Sequence, residues 1–330
     1  MPLPARPATR PARALPALLA ALLLLAASGC DPGQRIAPGA ATEPVQAVAL
    51  LTRHLRNNDL EAFAHDAVPS DLRAPLAAAW QAGRTRWPLD ELPFDQKIPG
   101  IVAALSADKA DAQLRRSFDR QFANANTEIR AAASALGLFG VKFLQSDDAL
   151  SAEERGHYAQ LVSAMSEWGA SAPLGDPKRG RGAIARLTLA ARQTGLREEA
   201  DFPRFGMDES LRRLKPLVTA LKDTLRSYDL DLDQSLDAMT LSLESQEGDR
   251  ARVRMRYRLA GKTIDTVVAV ERIDGHWYLS DFLRHARAAA ALAPVETPEA
   301  VQAPTPVTAE PPIAPPGIPP ESATKQPPSS

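Results

Sequence analysis

The sequence has a single cysteine, Cys30, in 330 residues. A chain with one cysteine forms no internal disulfide bond and offers no cysteine cluster to a metal ion. A lone thiol is also hazardous in an exported protein, because it forms disulfides between chains in an oxidising compartment. The position of Cys30 in the chain is therefore more informative than the low cysteine count.

Several other signals of function are missing. No G-x-S-x-G or phosphate-loop sequence is present, and the five histidines include no pair at i,i+4. Three of the 39 basic residues lie in the first 13 positions, so 36 basic residues face 40 acidic ones after residue 29. A nucleic-acid partner would require a clustered basic excess. We therefore predict no catalytic residue, no metal, no cofactor and no nucleic-acid partner.

The first 29 residues have the layout of a secretory signal peptide. Arg6, Arg10 and Arg13 come first without any acid, and residues 15–27 are apolar apart from Pro16. Thirteen residues are too few to cross a hydrocarbon core of about 30 Å, which takes roughly 20. We expect residues 1–29 to direct export rather than to span a membrane.

The sequence Ala-Ser-Gly-Cys at 27–30 resembles the lipobox of bacterial lipoproteins. This resemblance implies cleavage by signal peptidase II between Gly29 and Cys30, with a diacylglycerol on the Cys30 sulfur and an acyl chain such as palmitate on its amino group. It also implies that Asp31 acts as a sorting residue, which slightly favours the inner membrane over the outer membrane. The alternative is an ordinary secretory signal, cut near Gly29, that leaves a free thiol.

The rest of the chain divides by composition. Residues 30–42 read as a linker, 43–235 as a helical body, and 236–293 as a β-meander with a short helix packed against that body. Residues 294–330 contain 12 prolines and have too few large apolar side chains to form a core. This composition predicts a disordered, extended tail. The tail is either a solvated end or a spacer that contacts an envelope protein or peptidoglycan.

The body shows helical periodicity with recognisable ends. Asp59, Ser70 and Asp176 are predicted N-caps, and Ser151 with Glu154 forms a predicted capping box. Each apolar stripe is predicted to face the core. One such stripe contains Ile129, Ala133, Leu136 and Phe143.

From Arg252 the period changes to two, which indicates a half-buried strand. A turn at Gly261 and Lys262 would pair this strand with the next one, and a three-residue loop at 247–249 would pair it with the preceding one. The expected partners are Leu259–Ile264, Met255–Val268, Val253–Val270, Arg258–Asp265, Arg252–Glu271, Leu243–Val253, Met239–Tyr257 and Glu244–Arg252. With a further turn at Asp274–Gly275, the result is a four-stranded antiparallel meander.

The predicted fold class is therefore α+β and predominantly helical, with a helical body packed on a C-terminal four-stranded antiparallel meander. The early "LRNNDLEAF" and the final "VERIDGHWYLSDF" resemble the cone-shaped α+β domains related to nuclear transport factor, which are cystatin-like in outline. The intervening helices are either an insertion in that fold or part of a different body. The resemblance implies a pocket lined by Tyr257, Trp277 and Asp281, although Asp281 could instead pair with Arg284 or His285.

Four arginines alternate along one strand, at positions 252, 254, 256 and 258. If acids opposite the strand neutralise some of them, Arg254 and Arg256 are expected to remain without an acidic neighbour. The row is then either a solvated, salt-bridged face or a site for an anion or a lipid headgroup.

These observations favour a lipid-anchored protein of the bacterial cell envelope that faces the periplasm and binds an envelope partner without catalysis. The alternative is a small-molecule carrier, or an isomerase-like enzyme that uses a conical pocket. The membrane is expected to be a partner only through the N-terminal lipid.

Cys30→Ser tests the anchor. We expect the variant to move from the membrane pellet to the soluble periplasmic fraction, because acyl chains supply roughly 0.8 kcal/mol per buried methylene. Fractionation followed by immunoblotting measures this change. A mature Cys30→Ser protein that still sediments with membranes would contradict the prediction.

Overall fold

The structure, a computed structural model, describes residues 41–91, 97–148 and 150–294. The α-helices are α1 Pro44–Arg56, α2 Leu60–Asp66, α3 Ser70–Gln81, α4 Ile98–Ser106, α5 Ala110–Gln121, α6 Asn126–Gln145, α7 Ala152–Ser171, α8 Pro177–Thr194, α9 Asp201–Phe205, α10 Met207–Arg213, α11 Lys215–Arg226, α12 Leu232–Asp237 and α13 Ser280–Ala290. A short 3-10 helix spans Leu89–Glu91. The strands are β1 Thr240–Glu247, β2 Arg250–Leu259, β3 Lys262–Ile273 and β4 His276–Leu279.

The helix ends follow local chemistry at most of the predicted positions. Asp59 accepts a hydrogen bond from the Ala62 amide at 3.0 Å, and Asp176 accepts two from the first turn of α8. The capping box of Ser151 and Glu154 is present. The prediction for Ser70 is wrong, since Ser70 is the first residue of α3 and Pro69 precedes it without a side-chain cap.

The four strands form one antiparallel sheet in the order β1-β2-β3-β4, which confirms the predicted meander and the α+β class. The second hairpin pairs Tyr257 with Ile264 and Val253 with Val268, two residues away from the expected register. The cause is the turn, which is formed by Ala260 and Gly261 with φ of 53° and 81°. Both central residues of such a tight turn need positive φ. A shift of two residues keeps every side chain on its predicted face.

The first hairpin keeps the predicted pair of Leu243 and Val253. Its loop is one residue shorter than expected, because Glu247 pairs with Arg250. The register adjusts at Glu244, where β1 contains a bulge and Arg252 pairs with Ser245 instead.

The apolar face of the sheet is covered by helices at both ends. At one end α1 contributes Val48 and Leu50 to a cluster with Val253 and Trp277. At the other end Ala164 of α7 joins a cluster that contains the tip of the second hairpin. A third cluster lies among α2, α3, α10 and α13. The sheet and helices form one structural unit.

Helix α6 lies outside this arrangement and packs mainly against α7. Gly137 allows the close approach, because a Cβ at this position would overlap the side chain of Ser166. The Ser166 hydroxyl donates a hydrogen bond to the Ala133 carbonyl at 2.9 Å. The two helices are thus held at short range by small residues and one hydrogen bond.

Gly137→Ala is expected to destabilise the protein by about 1–3 kcal/mol, because the added methyl forces α6 and α7 apart. The matched control is Gly156→Ala on α7, where a Cβ meets nothing within 4 Å. The control should be neutral or stabilising by up to ~1 kcal/mol. Chemical denaturation of both variants measures the difference, and equal free energies of unfolding would contradict the close packing.

Candidate functional site

The predicted lipidation site lies outside the described residues. This holds for Gly29, Cys30 and Asp31 and for the proline-rich segment after residue 294. Their roles as cleavage, anchoring, sorting and spacer residues therefore stay predictions.

The arginine row does form on one side of β2, but carboxylates lie between its members. Arg252 contacts Glu153 of α7 at 2.9 Å and Glu244 of β1 at 3.2 Å. Arg254 is shared between Glu244 at 2.8 Å and Asp265 of β3 at 3.1 Å. Hydrogen bonding to Arg254 lowers the pKa of Glu244.

The expectation that Arg254 and Arg256 have no acidic neighbour is wrong, because Arg256 contacts Asp265 at 2.8 Å. The bulge in β1 and the shifted second hairpin change which acids lie opposite the row. Glu271, expected opposite Arg252, instead contacts Arg287 at 3.0 Å. Arg258 donates to the Gly261 carbonyl at 2.7 Å. Three carboxylates thus interleave with the row, which leaves little net charge for an anion, and the anion-site hypothesis gains no support from this geometry.

The three predicted pocket residues do not converge. Tyr257 hydrogen-bonds His157 of α7 at 2.8 Å, at the hairpin end of the sheet. Trp277 is buried in the cluster under α1. Asp281 accepts a hydrogen bond from Ser151 at 3.1 Å and contacts Arg284 at 3.2 Å. Burial raises the pKa of Tyr257 and lowers that of His157, as expected for uncharged side chains in a packed interior.

A different concave feature lies between the 3-10 helix, α7 and α13. This open cleft has a volume of about 520 Å³ and is mainly apolar, with Trp87, Tyr158 and Leu292 among its lining residues. Sequence analysis did not predict this cleft, because its walls come from three separate segments. Trp87 is buried, and its indole nitrogen donates to Glu91 at 3.0 Å.

Charged groups at the edge of the cleft are paired with one another. The Nδ1 atom of His285 lies 2.7 Å from Glu91, and its Nε2 atom lies 3.6 Å from Glu154. Arg284 forms an ion pair with Glu154 as well. The hydrogen bond with Glu91 raises the pKa of His285, and burial is the main reason that the pKa of Tyr158 is raised. These contacts hold α13 against α7, so the charged groups stabilise the packing of the two helices and are already paired with one another.

Helix α6 carries the most exposed apolar surface of the described residues. Leu136, Leu138, Phe139 and Phe143 are 71%, 77%, 72% and 68% exposed. We define the outer face of α6 as Ala132, Ala135, Leu136, Phe139 and Phe143, which recur at helical spacing on one side. The face is contiguous and lies away from α7.

The prediction that Leu136 and Phe143 face the core is wrong. Of that predicted stripe, Ile129 and Ala133 lie toward α7, while the other two lie on the exposed side. Side-chain periodicity identifies an apolar face but does not say which element covers it. The sequence does contain a signal for this exposure. Leu138 and Phe139 make α6 apolar nearly all round, and such a helix has more apolar surface than one neighbouring helix covers.

No protein-family model, no curated protein and no solved structure matches this chain. The resemblances to bacterial lipoproteins and to nuclear-transport-factor-like domains therefore stay predictions. Within residues 41–91, 97–148 and 150–294, no helix is long and apolar enough to cross a membrane. In the same ranges, no group of three or more histidine, aspartate or glutamate side chains is placed to hold a metal ion.

His285→Gln tests the pairing at the cleft. Because the folded-state pKa of His285 is raised above its ordinary 6.5, its contribution to stability is fully present below pH 6.5 and is lost as the pH rises through the folded-state pKa. The difference in free energy of unfolding between wild type and variant should therefore be larger at pH 6 than at pH 9. Glu91→Gln, which removes the acceptor, should show the same trend. Differences that do not change with pH in either variant would contradict this interpretation.

Proposed function

We propose that the chain is a lipid-anchored protein of the bacterial cell envelope that faces the periplasm and acts by binding a protein partner, not by catalysis. The outer face of α6 carries this proposal as the binding surface. The leader and Cys30 supply the location, with Asp31 favouring the inner membrane. The proline-rich tail serves as a spacer beyond the folded body.

The outer face of α6 exposes three large apolar side chains, Leu136, Phe139 and Phe143. Burying a Leu or Phe side chain contributes about 1.5–3 kcal/mol, so covering these three yields roughly 5–9 kcal/mol. Association costs roughly 4–15 kcal/mol in lost freedom. The face therefore offsets much of that cost, and contacts around it supply the rest.

The charges on α6 favour a protein over a lipid surface. Helices that lie on membranes are typically rich in lysine and arginine on the polar side. Helix α6 has only Arg130 and Lys142, and Arg130 donates to the Ala170 carbonyl at 3.0 Å. Its first turn also carries Glu128, which anionic headgroups would repel.

The alternative of a carrier or enzyme has weaker support. The predicted lining residues lie in different parts of the fold, and the polar groups at the separate cleft are engaged with one another. The outer face of α6 is apolar and exposed among the described residues, and a binding role explains this feature.

A photo-crosslinker tests the surface directly. We expect p-benzoylphenylalanine in place of Phe139 to give a discrete protein adduct when intact cells are irradiated, because a bound partner lies within reach of the ring. The matched control places the same group at Leu189 on α8, which is 58% exposed but lies outside the outer face of α6. Immunoblotting detects the adducts.

The absence of an adduct at position 139, or equal adducts at both positions, would contradict the proposed function. An adduct with lipid alone would mean that the outer face of α6 binds the membrane and not a protein.

A further inference from the structure

The outer face of α6 has a gradient of side-chain size along the helix. Its N-terminal half presents Ala132 and Ala135, and its C-terminal half presents Phe139 and Phe143. Leu136 lies between them. When two copies of such a helix pack in opposite directions, the large side chains of each lie over the small side chains of the other, as in ridges fitted into grooves. Parallel packing would place phenylalanine against phenylalanine and leave space between the alanines.

The charges on this side of α6 are also distributed unequally along the helix, with a negative charge at its N-terminal end and a positive charge at its C-terminal end. Glu128 lies one turn before Ala132, and Lys142 lies beside Phe143, so opposite charges stand at the two ends of the face. They are 14 residues, or about 21 Å, apart along one helix and cannot reach each other within a chain. Neither forms an ion pair with any described residue. The helix dipole stabilises Glu128 near the N-terminus of α6 and Lys142 near its C-terminus. An antiparallel α6 helix from a second copy would in addition give each of them an oppositely charged partner.

A single register satisfies both patterns. Pairing Glu128 with Lys142 of a second copy centres the contact at Ala135, beside Leu136. It also brings Phe139 to within one residue, about 1.5 Å along the helix, of Ala132 in the other copy. A C2 contact is self-complementary, so each favourable pair occurs twice. The size gradient and the charge pattern are independent features of the sequence, and they select the same arrangement.

The outer face supplies most of the area that a specific dimer needs. Phenylalanine buries about 150–250 Å², so the exposed parts of Phe139, Phe143 and Leu136 provide roughly 350–400 Å² per copy. Two copies thus bury about 700–800 Å² of large apolar side chains. The two alanines and the charged rim supply the rest of the roughly 1,000 Å² expected for a stable interface.

We propose that the partner of the outer face of α6 is a second copy of this chain, packed antiparallel about a twofold axis near Leu136. The proposal rests on the proposed function and names its partner. The α6 helices of the two copies form the centre of the interface, with α7 behind each of them.

Engineered cysteines test the arrangement in the full-length chain, expressed with its leader and Cys30. The double variant Ala132→Cys with Phe139→Cys should form a disulfide-linked dimer under mild oxidation, because position 132 of one copy lies opposite position 139 of the other. Within one helix these positions are about 10 Å apart, too far for an internal disulfide. Each single variant should give much less dimer, and the unmodified chain is the control for Cys30.

A second measurement does not depend on cysteines. Sedimentation of the exported full chain with Cys30→Ser should give twice the chain mass, and Leu136→Glu with Phe139→Glu should reduce it to one. Leu189→Glu is the control and should remain dimeric. Circular dichroism establishes that each variant is folded.

The outcomes separate the two proposals. Strong dimers from both single cysteine variants would mean parallel packing and overturn the arrangement. A monomer in solution together with a photo-adduct to a different protein would overturn the dimer but keep the proposed function. A monomer with no adduct would overturn both.

Discussion

The constraint on which the structure depends is that a single sheet with one apolar face must be covered. Alternation along β2 and β3 places the apolar side chains on one side, and α1 and α7 cover that side at its two ends. The position of α7 is fixed further by Gln160, whose side-chain amide bonds both the N–H and the carbonyl of Asp265 at 3.0 Å. One face of α7 is thereby used for the sheet, and its other side carries α6. Helix α6 is thus a further layer, and within the described part of the chain no element lies beyond it, which is why its apolar side chains are exposed.

Much of this fold could be predicted from sequence because the relevant signals are local. The alternation of β2, the Asp-Gly turn at 274–275 and the caps at Asp59 and Ser151 depend on neighbours in the chain. The register of the second hairpin was wrong by two residues because the choice of turn depends on whether Ala260 adopts positive φ, which a non-glycine residue rarely does. The predicted face of each side chain is still correct, because side chains alternate between the two faces of a strand and a shift of two residues preserves the face.

The exposed apolar face of α6 could not be predicted in the same way. Leu136 and Phe143 have the spacing of core residues, and only the arrangement of layers shows that no described element covers them. The ion pairs of Arg254 and Arg256 likewise follow from a bulge at Glu244 and from the register of β3, which are properties of the assembled sheet. The predicted location signals at residues 1–29 and Cys30 lie outside the described residues, so the fold does not test them.

If a partner covers the outer face of α6 in the cell envelope, a thiol placed in that face should be protected there. Ala135→Cys places a small probe in that face, and Ala112→Cys on α5 is an exposed alanine outside it. A membrane-impermeant maleimide, applied to cells with a permeabilised outer membrane, measures both labelling rates. We expect labelling at position 135 to be about tenfold slower than at position 112 in the envelope. Once the purified protein is diluted until its partner dissociates, the two rates should be similar. Equal rates in the intact envelope would contradict this expectation.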